Sequence, residues 1–321
     1  MPPKAIKTQP RVFISHSSVN LNAARQVEAA LVAEGFDPWL DYSDIRIGKL
    51  LGKELQKAIK ASKAVVLMWS KAAAASRWVA TEVLTAFHLD RFIVPCVLSA
   101  TELPQFLSRS VYFDLRKGRT DVLRRLGEQV KLAPRARNEF PGISSYQTGK
   151  LKEAIKRIND QQMDLLDRLD REDLPGARKR QASLDPIMRA AEARWRYDPF
   201  ILNLAGYHRK NAYMLKHWDE YCAGRFPRDP VLAEGERRFI DTLFINPIDY
   251  SALNGVGNIM LFEGELSAAE FFVERAIEEA AKDGIDYQDA KHDLEVIRSR
   301  ARAPEPGRAR IDIKHRPKKT S

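Results

Sequence analysis

From residue 10 to residue 132 the chain alternates short apolar runs with stretches of helical period, and the connections between them are brief. Arg11–Ser15 reads as a strand. A helix over 20–34 follows, with Leu21, Ala24, Val27 and Leu31 on one face and Gly35 at its end. A second strand at 36–40 contains Pro38, which suits an edge position because proline has no amide to donate. After the loop 41–48 come a helix over 49–61, strands at 64–69 and 92–98 separated by a helix over 76–89, a short strand at 111–115 and a closing helix over 120–132. Strand–helix alternation of this kind predicts an α/β fold with a parallel sheet covered on both faces, and the unbroken apolar run 64–69 fits a strand buried on both sides. Ligands of such sheets sit beyond the carboxyl ends of the strands. Those ends carry Ser15 to Ser18, the 41–48 loop, and Ser70 onward.

A length of 321 residues is generous for one core, so a second domain is expected. Residues 133–146 have linker composition. Beyond them only helical periodicity appears, with helices expected over 147–171, 176–196, 199–216, 230–244, 249–263, 267–281 and 286–300. The predicted organisation is an extension at 1–9, the α/β domain at 10–132, the linker at 133–146, a helical domain at 147–300 and a basic, disordered tail at 301–321. Asp198–Phe200 with Asn203–Gly206 is echoed by Asn246–Ile248 with Asn254–Gly257. Ala268, Ala269 and Ala276 add small residues where paired helices approach closely. This region partly resembles tetratricopeptide-type helical hairpins, with an ordinary helical bundle as the alternative.

Composition narrows the function classes. Hydrophobic residues at 44% and charged residues at 30% describe a folded, soluble chain. No apolar run approaches the roughly 20 residues of a membrane helix, and the basic N-terminus lacks the apolar stretch of a signal peptide, so a cytoplasmic protein without membrane contact is expected. Cys96 and Cys222 stand far apart with no metal-ligand spacing around them, which predicts neither disulfide nor metal. Residues 1–135 carry 21 basic and 12 acidic side chains, +9 of the chain's net +10. A basic first domain suits an anionic partner. Lys49, Lys53, Lys57 and Lys60 follow a helical spacing that reads as a solvated face, so a pyrophosphate-bearing small molecule is preferred to nucleic acid. Triphosphate-loop, dinucleotide-fingerprint and hydrolase-elbow motifs are absent from the sequence.

Phe13–Ser15, Gly35–Asp41, Ile47–Gly48, Val66–Ser70 and Ser76–Glu82 resemble, in order and on the expected elements, the successive boxes of TIR (Toll/interleukin-1 receptor) domains. The resemblance covers 9–132 and implies a flavodoxin-like, five-stranded parallel sheet. It also implies that the 41–48 loop mediates assembly and borders the ligand site. In enzymatic, bacterial-type members the Glu matching Glu82 cleaves the nicotinamide–ribose bond of NAD+, so the resemblance implies an NAD+ nucleosidase with NAD+ as substrate and no cofactor. Trp78 lies four residues before Glu82, on the same helix face. Phe13, Ser15, His16, Asp41, Arg46, Ser70 and Trp78 are the candidate substrate-binding residues. Similar proteins of prokaryotic defence systems imply self-association through TIR domains, a role in antiphage immunity, and a protein or ligand trigger sensed by the helical domain. Many TIR domains carry an acidic residue soon after the first strand, where this chain has Ser17–Asn20. Hydrolysis and cyclisation stay open, and the alternative is a non-enzymatic TIR scaffold that grips partners through its helical repeats.

Overall fold

Six consecutive apolar residues make Ala64–Trp69 a strand that can only be satisfied inside a sheet, and all six are buried. In the computed structural model, which describes residues 9–40, 51–116, 120–132, 140 and 149–302, this strand, β3, is central. Its companions are β1 (Arg11–Ser15), β2 (Asp37–Trp39), β4 (Phe92–Val97) and β5 (Phe113–Asp114). All pairings are parallel, in the order β2-β1-β3-β4-β5. The expected loop 41–48 with Asp41 and Arg46, most of the linker and the tail from Ala303 lie outside the described residues. The chain divides into two compact units, Met1–Pro141 and Gly142–Ser321.

Both sheet faces of the first unit are covered. The helices are α1 (Leu21–Ala33), α2 (Leu51–Ala61), α3 (Lys71–Ala75), α4 (Arg77–His88) and α5 (Thr120–Leu132). On one face Val12, Ile14, Val66, Met68, Val94 and Cys96 pack against α1 and α5 through Val27, Leu31, Leu126 and Val130. The other face carries α2 and α4. Every residue of α4 from Val79 to Phe87 is buried, as in a helix enclosed on all sides.

Proline shapes both flanks of the sheet. Pro38 lies in β2, an edge strand as expected. Pro95 lies in β4 opposite Leu67. The Leu98 amide donates to the Trp69 carbonyl at 2.8 Å, so strand alternation turns the even-numbered amides of β4 toward β3 and position 95 toward β5. Pairing with β5 begins only at Cys96 opposite Phe113, beyond the missing donor. The fifth strand is accordingly shorter than the expected 111–115, with Val111 and Tyr112 exposed ahead of it.

Among its described residues the second unit is entirely helical: α6 (Gly149–Asp170), α7 (Leu174–Arg194), α8 (Pro199–Lys216), α9 (Trp218–Cys222), α10 (Pro230–Ile245), α11 (Tyr250–Phe262), α12 (Leu266–Lys282) and α13 (Gln288–Arg302). Asp198 and Asp229 cap α8 and α10, and each is followed by a proline at the first helical position, where its missing amide is not needed. The dominant contacts pair α6 with α7, α8 with α10, and α11 with α12, and α13 closes on α12. Alternate helices α6, α8, α11 and α13 touch in sequence along one side.

The small residues noted in the sequence explain how closely these helices approach. A Cβ added to Gly206 of α8 or to Gly255 of α11 would stand 2.5 Å from the ring of Phe239, which α10 inserts between them. A Cβ on Gly257 would meet Val273 of α12 at 2.5 Å. Among the described residues no helix is long and apolar enough to cross a membrane.

Candidate functional site

The sheet order reverses between β1 and β3, and the crevice at their carboxyl ends is where open α/β sheets bind ligands. Ser15 is the last residue of β1, and Ser70 follows β3 directly. Strand alternation sends Val12 and Ile14 to the α1/α5 side and leaves Phe13 and Ser15 for the other, beneath α4.

Glu82 comes down from α4 onto this point. Its Oε2 accepts a hydrogen bond of 2.5 Å from the Ser15 hydroxyl, and the two side chains are 1% and 0% exposed. The length is that of a hydroxyl donating to a carboxylate. The glutamate is therefore fixed by a partner 67 residues away in sequence. No local pattern announces such a pair; only the sheet topology creates it.

Around this pair the loop after β1 forms a second polar knot. Asn20 Oδ1 accepts from the Ser17 hydroxyl at 2.6 Å and from the Ser70 hydroxyl at 2.7 Å. Ser70 Oγ also caps α3 by accepting from the Ala73 amide at 3.1 Å. The Ser70 hydroxyl is thus engaged in tying β3 to the β1 loop. Asn20 is the site residue that sequence reasoning passed over. Its signal was a lone amide side chain in the short loop after the first strand, at a position where the fold reverses.

The remaining candidates occupy distinct places. Phe13 is buried and stacks on Trp39 with ring centroids 4.9 Å apart, forming the floor below Ser15. His16 is almost fully buried, with Nδ1 3.4 Å from the Ile14 carbonyl. Trp78 is half-buried one turn before Glu82 and lies beneath the Arg77 guanidinium, 5.6 Å from its ring centroid. Ser76 caps α4 by accepting from the Val79 amide at 3.3 Å, which sets where the helix begins and so where Glu82 falls. Asp41 and Arg46 lie outside the described residues. Among the described residues no group of three His, Cys, Asp or Glu could hold a metal ion.

The arrangement gathers Ser15 and Glu82 at the crevice, with Ser17, Asn20 and Ser70 beside them. Chemically, among the described residues, it holds a buried carboxylate bonded to a serine hydroxyl, with two further serine hydroxyls tied to one amide oxygen. A comparison with curated proteins returns no match. A family model described as the TIR domain matches residues 12–127. With this match and the five-stranded parallel sheet, the N-terminal unit of the chain is a TIR domain.

Proposed function

We propose that the TIR unit cleaves the nicotinamide–ribose bond of NAD+ with Glu82 as the key carboxylate. The observation that carries this reading is the Ser15–Glu82 pair at the sheet's reversal point. As nicotinamide leaves, positive charge develops on the ribose, and an anionic carboxylate beside C1′ stabilises that oxocarbenium-like state. Nicotinamide is a cationic group in NAD+ and departs neutral, so no acid is needed to protonate it. Water then adds to C1′ and releases a proton, giving ADP-ribose; internal capture by the adenine gives a cyclic product instead. The Ser15 hydroxyl holds the carboxylate in place, and substrate binding must uncover it. The net +9 over residues 1–135 favours the pyrophosphate.

The same reading extends to assembly and biology. Self-association of TIR units would complete the site. The helix pairs of the second unit, of tetratricopeptide type on this view, would receive the protein or ligand trigger, and the physiological role would be antiphage immunity in the cytoplasm.

The test is nicotinamide release by concentrated wild-type protein against folded Glu82→Gln. The variant should lose about 100-fold or more of the activity, the scale of removing a transition-state electrostatic partner. Equal activity in the two would remove Glu82 from the mechanism.

A second reading is a non-enzymatic TIR scaffold, and one observation favours it: Glu82 is 1% exposed and already bonded within the protein, as a purely structural carboxylate would be. On that reading Glu82→Gln leaves the biological output intact, and the exposed Val111 and Tyr112 belong to an assembly surface.

A further inference from the structure

Side chains of α6, α8, α9, α11 and α13 line a cleft of about 280 Å³ within the helical unit. At about 30 Å³ per water this is room for roughly nine waters, the scale of a molecule of about ten non-hydrogen atoms. One wall is a continuous polar stripe. Asn203 of α8 donates to Ser251 Oγ at 3.0 Å, and Asn254 lies one turn beyond Ser251 on α11. The Asn254 and Asn258 amides both donate to Asp293 Oδ2 of α13, at 3.0 and 2.8 Å.

The amide donors of this stripe are spent within the protein, but two of its acceptors are not. Asn203 Oδ1 and Asn254 Oδ1 are buried with no hydrogen-bond partner, and Asn254 as a residue is 3% exposed. Both residues line the cleft. An unmatched buried acceptor is costly and uncommon in native structures. A ligand that brings N–H donors to this wall therefore gains hydrogen bonds that the protein itself does not supply.

Charge and ring chemistry select the sign of that ligand. The lining carries the carboxylates of Asp170, Asp289 and Asp293 against Lys210 and His292. The Lys210 ammonium itself stands 5.2 Å from the centroid of the Tyr207 ring. Burial pushes the Tyr207 phenol up to about 12 and raises that of Tyr287, which also lines the cleft. Both rings are therefore neutral at pH 7. Neutral aromatic rings beside carboxylates attract a cation, whereas an anion would be repelled by the same carboxylates.

We propose that this cleft binds a small organic cation bearing several N–H donors, an alkylguanidine or alkylamine. Asp293 supplies the counter-charge, and Asn203 and Asn254 supply acceptors. The assignment gives the chemical class of the trigger and rests on the reading that the helical unit receives one. Binding is measured without NAD+, so its failure and the failure of NAD+ cleavage are separate results.

The experiment is calorimetric titration of the full chain with agmatine and with spermidine, with thermal unfolding used to verify that each variant is folded. At least one cation should bind saturably, one per chain. Asp293→Asn keeps an oxygen for the Asn254 and Asn258 amides but removes the charge, and it should weaken binding at least tenfold. Asn203→Ala should weaken it at least threefold. Asp283→Asn, an exposed position outside the lining, should bind as the wild type does. The dianion glutarate should not bind. No saturation by either cation at about 10 mM, equal binding by Asp293→Asn, or equal binding of glutarate would each overturn the assignment. Tighter binding of a blocked Gly-Arg-Gly peptide than of agmatine would also overturn it, because the occupant would then be an arginine of a protein partner.

Discussion

A glutamate 1% exposed in the middle of a buried helix is costly unless something engages it, and here the Ser15 hydroxyl does. Removing that hydroxyl separates the two readings of the site. Ser15→Ala leaves one carboxylate oxygen without this donor, so the TIR unit should lose about 1–3 kcal/mol of stability, the usual consequence of unmatching a buried group. Denaturant titration measures it. If Glu82 is also the catalytic group, nicotinamide release by Ser15→Ala should fall about tenfold under conditions where the protein remains folded, a conservative figure for a misplaced reacting group. Glu82→Gln keeps the shape and a hydrogen-bonding partner for Ser15, so its stability should change less than that of Ser15→Ala while its activity falls further. A reversed order would mark the pair as structural. The sequence offered Glu82 through its resemblance and Ser15 through its strand-end position. That the two are bonded to each other was invisible, because their contact depends on α4 crossing β1.

At the scale of the element, the clearest case is Phe239, held between Gly206 and Gly255 on flanking helices. Gly255→Ala puts a methyl group where the ring lies, and the helix–helix approach cannot widen without unpacking Phe239. The expected loss is about 1–3 kcal/mol, the usual effect of overpacking, although alanine is the better helix former. Phe239→Leu in the same background should recover part of it, since the two substitutions share one space. Additive losses would show that the ring is not the obstacle. The sequence placed seven long helices correctly to within a few residues because apolar periodicity and Asp-Pro starts are local signals. The short helices α3 and α9 were not anticipated. Each is five residues long, too short to display a period. The brevity of β5 was likewise hidden, since it follows from Pro95 in the neighbouring strand.

At the scale of the whole molecule, acidification should act on the helical unit through several groups, Asp229 and His208 among them. The Lys216 ammonium, the Val231 amide and the His217 imidazole hold Asp229 well below the usual carboxylate range. The unfolded chain takes up this proton first, so the contribution of Asp229 is complete above about pH 4 and falls as the pH drops below it. Burial depresses His208 below the ordinary imidazole value despite the nearby Asp185. Its contribution is complete above about pH 6.5 and declines on acidification. Burial raises Asp198 and Asp249, which act in the opposite sense. The test is therefore comparative: the stability gap between wild type and Asp229→Asn should be greatest at neutral pH and narrow below about pH 4. A gap that stays constant from pH 7 to pH 3 would contradict this assignment.

The sequence by itself determined the alternation that makes a parallel sheet, the change to all-helical structure beyond the linker, and the small residues at the helix seams. These follow from side-chain periodicity, backbone preferences and side-chain volume, which each segment carries with it wherever it folds. Only the tertiary structure decided which of the strand-end residues meet. It bonded Ser15 to Glu82, engaged Ser70 with Asn20, set Phe13 into the floor on Trp39, and assembled a cleft in the helical unit from side chains of α6, α8, α9, α11 and α13. Such contacts depend on the order of strands and the pairing of helices, and those are fixed by the burial of whole faces against one another rather than by any short run of residues.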